Sequence, residues 1–228
     1  MSKKGFYLKS KNDYIIYLRH LIISSFKSLS TYKKYLAQVD EIIEIKKLRD
    51  RPNSVISNDI YEESRAKLLF VANKLLNIYG DHSHFGMSYK KFREKAKKDK
   101  SISLILPKLD EETKTHLNNL NSMRNWGNHV PESLLVAQIE TNPGLLVPPF
   151  NPFTIAMYEK CSAQWLISLY EDSLRSVELF QEVHAQMMLD YKELIEEFPL
   201  PLPIDPGVRT LDDLIIPTTS WNIQQSKK

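Results

Sequence analysis

Apolar residues recur at three- and four-residue intervals along most of this chain, and almost no glycine interrupts them. From residue 13 to 48 the series runs Ile15, Leu18, Ile22, Phe26, Leu29, Tyr35, Val39, Ile42 and Ile45, the spacing of a helix with one buried face. Only six glycines occur in 228 residues, too few for a sandwich with many tight turns or a phosphate site built on a glycine-rich loop. The chain is therefore expected to be all-α. At 42% hydrophobic and 26% charged residues, it carries enough apolar surface to bury a sizeable core.

The expected helices follow in order. Residues 13–48 read as two helices divided near residues 28–31, where Ser28, Ser30 and Thr31 cluster. After the loop signal Arg51-Pro52-Asn53-Ser54, Ser57 or Asn58 can cap a third, with Asp59, Glu62 and Glu63 in its first turns. Its stripe is Ile60, Leu68, Val71, Leu75 and Tyr79, and Gly80 stands where helices often stop. Residues 81–86 read as a loop, followed by a short, solvent-exposed basic helix. Asp110 then caps a helix that carries Glu111 and Glu112 in its first turn, is anchored by Leu117 and Leu120, and is closed by Val130-Pro131. The proline-rich residues 142–152 form a connector. Residues 153–198 return to one long helix or two, on the positions Trp165, Leu169, Leu174, Val177, Phe180, Val183, Met187, Tyr191 and Leu194. From Pro199-Leu200-Pro201-Leu202-Pro203 onward the backbone favours extended structure. The expected organisation is a helical domain over residues 1–198 and an extended or poorly ordered tail over 199–228, which carries Trp221.

Cys161 is the only cysteine; it rules out an intrachain disulfide and a multi-cysteine zinc cluster, and is expected to be buried on a helix. No apolar run reaches the length of a membrane span, since Leu21-Ile22-Ile23 breaks at Ser24-Ser25. Met1-Ser2-Lys3-Lys4 lacks the apolar stretch of a secretory signal. A cytoplasmic protein with no membrane partner is expected. The net charge of +3 does not by itself demand nucleic acid, but residues 90–100 hold seven basic side chains against Glu94 and Asp99. Lys90, Lys91 and Arg93 are the first places to look for phosphate contacts, with Tyr89 and Phe92 available for base stacking. The plainer reading of the run is a solvated face. His82 and His84 lack a third ligand nearby, so no metal site is assigned.

The one segment with clear chemistry is Arg124-Asn125-Trp126-Gly127-Asn128-His129, at the end of an expected helix. Arg124 offers a permanently charged fork of donors for phosphate. His129 titrates near neutrality and can take or give a proton. On an ideal helix Asn125 and His129 lie about 40° apart, but Arg124 and His129 about 140° apart. Joining Arg124 and His129 at one phosphate requires either a loosened turn at Gly127 or the same segment from a second chain.

This segment resembles the motif of the HEPN family, an arginine, a polar residue, three further residues and a histidine. The resemblance covers six residues. It implies a HEPN-like helical bundle, a homodimer with paired motifs at its interface, and RNA cleavage that needs neither metal nor cofactor. Arg124, Asn125 and His129 would be catalytic, and Asn128 would join Lys90, Lys91 and Arg93 in holding substrate. The RNA's own 2′-hydroxyl would attack, leaving a 2′,3′-cyclic phosphate and a 5′-hydroxyl, so DNA would be inert. Active members include toxins and abortive-infection proteins, which implies a toxin or phage-defence role and an antitoxin or other regulatory protein as partner. The alternative within the same resemblance is a non-catalytic domain that binds nucleotide, nucleic acid or protein. A purely structural reading pairs Arg124 with an acid such as Glu132, uses His129 to cap the helix, and buries Trp126 in the core. Glu62 or Glu63 could instead orient Arg124 if their helix packs against it.

Overall fold

The computed structural model describes residues 8–81, 87–128 and 159–197, with the backbone alone for 125–128. The chain separates after Glu197 into two units, and every described residue lies in the first. The expectations for His82 and His84, the Val130-Pro131 stop, the connector at 142–152 and the tail from 199 fall outside these residues.

The described residues form an all-α bundle of six helices with one minimal strand pair. α1 (Lys11–Ile45) is a single helix of 35 residues, about 50 Å long at 1.5 Å per residue, where a division had been expected. The hydroxyls that suggested a break turn back onto the helix instead: Ser30 Oγ donates to the Phe26 carbonyl at 3.0 Å and Thr31 Oγ1 to the Lys27 carbonyl at 3.0 Å. With neither glycine nor proline in this stretch, nothing forces the backbone out of the helix. Its start is fixed by a reciprocal capping box between Ser10 and Asp13.

β1 (Val55–Ser57) leads straight into α2 (Asn58–Gly80), and β2 (Lys160–Ser162) straight into α6 (Ala163–Ile195). The strands are antiparallel, with Ile56 opposite Cys161; both are buried. This pair was not expected: residues 160–162 had been read as helix, and Cys161 is buried on a strand. The ribbon ties the first turns of α2 and α6 together, where Tyr61 and Trp165 pack with ring centroids 5.7 Å apart. Between them in the chain come α3 (Tyr89–Lys98), α4 (Lys100–Ser103) and α5 (Glu111–Asn128).

α1 and α6 run antiparallel. Lys11 meets Glu196 at one end at 2.7 Å, Ser25 meets His184 near the middle at 2.8 Å, and Tyr32 meets the Phe180 ring edge-on at 5.8 Å further along. α2 lies against both, burying Leu68, Val71, Leu75 and Tyr79 as its stripe required. α5 begins on the Asp110 cap, whose carboxylate accepts from the Thr113 amide at 2.6 Å, and buries Leu117 and Leu120. No described helix is long and apolar enough to cross a membrane.

The basic helix α3 departs from expectation. Tyr89, Phe92 and Ala96 are fully or almost fully buried, so the two aromatics are core residues and not a stacking surface. Their rings stack on each other at 6.0 Å, and Phe92 also meets Tyr14 and Tyr17 of α1. The lysines dominate a count of residues, but the apolar positions at 89, 92 and 96 set which face turns inward.

Candidate functional site

Arg124 projects from the last turns of α5 toward the C-terminal end of α2. Its Nε donates to Asn77 Oδ1 at 3.2 Å, and a terminal nitrogen pairs with Asp81 Oδ1 at 3.2 Å. Arg124 is 23% and Asp81 13% exposed, so the pair is screened less than a fully solvated one. Glu62 and Glu63 do not serve this role: they pair along their own helix with Arg65 and Lys67.

Gly80 makes this reach feasible. It is a helical residue without a positive φ, so its value is not the conformational freedom of a helix stop. A Cβ there would lie 2.9 Å from the Asn121 backbone nitrogen and 3.1 Å from the Leu120 carbonyl carbon. The missing side chain lets α2 and α5 touch backbone to backbone, one turn away from Arg124.

Asp81 is itself anchored. Its carbonyl accepts from Ser88 Oγ at 2.6 Å. The Ser88 amide donates to the Tyr17 hydroxyl at 3.1 Å, and that hydroxyl donates to the Ser88 carbonyl at 3.2 Å. Burial pushes the Tyr17 phenol up to about 12; hydrogen bonding from the Ser88 backbone opposes this, and the negative charge of Asp81 adds to it. Ser88 also caps α3 by accepting from the Lys91 amide at 3.2 Å.

The basic candidates separate into different environments. Lys90 crosses to α5 and donates to Asn118 Oδ1 at 3.0 Å, about 9 Å along the helix axis from Arg124. Lys91 is half-buried in the first turn of α3. Arg93 is committed to the interior: its guanidinium donates to the Pro107 carbonyl at 2.7 Å and pairs with Asp190 at 3.3 Å, with side-chain exposures of 10% and 0%. Asp190 also accepts from Tyr89 Oη at 2.6 Å and Gln186 Nε2 at 3.0 Å. Burial raises the Asp190 carboxyl above the usual range while Arg93 and its two donors oppose the rise. An arginine held in this way locks α3 onto α6 and is poorly placed to receive phosphate.

The remaining site residues lie at the edge of what is described. α5 is helical through Asn128, so the turn containing Gly127 is not the break that would swing Arg124 toward His129. The side chains of Asn125 and Asn128, and all of His129, fall outside the described residues. Among the described residues no group of three or more His, Cys, Asp or Glu side chains could hold a metal ion.

Sequence reasoning missed Asn77 and Asp81. The available signal was their i, i+4 spacing on either side of Gly80, which places two acceptors on one face of a helix end. Polar residues at a helix terminus are too common for that signal to stand out without knowing that α5 crosses there. Comparison of the chain with protein-family models, curated proteins and solved structures finds no match.

Proposed function

We propose that this chain is a metal-independent RNA endonuclease of the HEPN type, acting as a homodimer in which Arg124 and His129 carry cleavage and Asn125 supports them. The observation that carries the reading is Arg124 itself. It stands near the end of α5 in an all-α bundle, opens the Arg-Asn-x3-His segment, and is held by two acceptors from another helix. Surface arginines seldom receive such support, because a long side chain loses rotamer freedom when it is fixed.

In this mechanism Arg124 binds the scissile phosphate and offsets the charge that builds on its oxygens in the transition state. His129 takes the 2′-hydroxyl proton or protonates the leaving 5′-oxygen. With α5 helical through Asn128, we assign the two groups at one phosphate to two copies of the segment, one from each chain. Asn128, Lys90 and Lys91 are assigned to holding RNA, with a toxin or phage-defence role and a regulatory protein as partner. The non-catalytic binding reading draws on the same ion pair, since a guanidinium tied to Asp81 also cements α2 to α5.

The test uses purified protein, mixed RNA and chelator. The wild type is expected to cleave and leave 2′,3′-cyclic phosphate ends, while Arg124→Ala and His129→Ala lose at least about a hundredfold in rate. Equal cleavage by all three would remove the proposed site, and an inert wild type would favour the binding reading.

A further inference from the structure

The polar contacts around Arg124 form a chain through three helices. From Nε the path runs to Asn77, and from a terminal nitrogen to Asp81, both at the end of α2. Through its backbone carbonyl, Asp81 is tied to Ser88, and Ser88 exchanges two hydrogen bonds with Tyr17 of α1. Ser88 is fully buried and Tyr17 nearly so. Moving the Asp81 backbone away from α5 would therefore break hydrogen bonds that water cannot readily replace.

We propose that Asp81 and Asn77 are the positioning residues of the Arg124 site, with the Tyr17–Ser88 pair holding Asp81 in register; this rests on the nuclease reading above. Two acceptors on different nitrogens fix the plane of a guanidinium as well as its place, whereas one would leave it free to swivel. A phosphate arriving at Arg124 also meets the negative charge of Asp81, so the same residue that orients the fork weakens RNA binding.

That opposition gives the proposal a signature that a merely structural ion pair lacks. Asp81→Ala removes orientation and repulsion together, so kcat is expected to fall by about a hundredfold while KM does not rise. Asp81→Asn keeps an acceptor and removes the charge. It is expected to retain most of kcat and to show a lower KM than the wild type. Asn77→Ala should fall between the wild type and Asp81→Ala in kcat. Steady-state cleavage of a defined RNA in chelator, with thermal melting of each variant in the same buffer, reads all of these.

An unchanged kcat in Asp81→Ala, or a raised KM with kcat intact, overturns the positioning role. So does an Asp81→Asn variant as impaired as Asp81→Ala while melting like the wild type. If Arg124→Ala is inactive while Asp81→Ala cleaves normally, the positioning role falls and the nuclease stands. If Arg124→Ala cleaves like the wild type, or the wild type is inert, both fall together.

Discussion

His184 shows how a single side chain reports on the bundle. Its Nδ1 lies 2.8 Å from Ser25 Oγ, a buried hydroxyl of α1, and the Phe26 ring packs beside it with centroids 6.2 Å apart. Burial, and then the positive charge of Lys33, hold its pKa below the usual imidazole value. The unfolded chain therefore takes up a proton near pH 6.5 more readily than the folded one. The contribution of neutral His184 to stability is fully present above that pH and is lost as pH falls toward the depressed folded value. Denaturant midpoints of the wild type should drop between pH 7.5 and 5.5, and His184→Gln should flatten that drop. An equal drop in both proteins would contradict this. Other single residues were legible to different degrees. Arg124 stood out in the sequence because its neighbours form a motif, but its acceptors lie more than forty positions away in the chain. Arg93 looked like one cation among seven, and only the packing of α3 on α6 reveals that it faces Asp190 inside the fold.

Between elements, the contact that matters most is the crossing of α2 and α5 at Gly80. Gly80→Ala places a Cβ 2.9 Å from the Asn121 backbone nitrogen, and backbone cannot yield as a side-chain tip would. The substitution should cost about 1–3 kcal/mol by overpacking, read as a lower denaturant midpoint. It should also impair cleavage, because separating the helices draws Arg124 away from Asn77 and Asp81. A variant as stable as the wild type would show that the helices can part at no cost. Periodicity made α2 and the start of α5 legible, since each has a cap signal and a clear apolar stripe. It failed at α1, where hydroxyl clusters suggested a break that i−4 hydrogen bonding removed. It failed again at β1 and β2, because three-residue strands carry too few positions for an alternating pattern to register.

For the whole molecule, the all-α architecture followed from helical spacing and scarce glycine, and the described residues bear it out. α5 stays helical through Asn128, and in the proposed nuclease Arg124 of one chain works with His129 of its partner. Complementation tests that claim directly. Arg124→Ala and His129→Ala, each inactive alone, are unfolded together, refolded as a mixture, and assayed on RNA in chelator. If Arg124 of one chain works with His129 of its partner, each mixed dimer keeps one intact site. With mixed dimers forming half the population, about a quarter of wild-type activity should return. A mixture that forms dimers and still cleaves no better than either variant alone would contradict a site shared across the two chains.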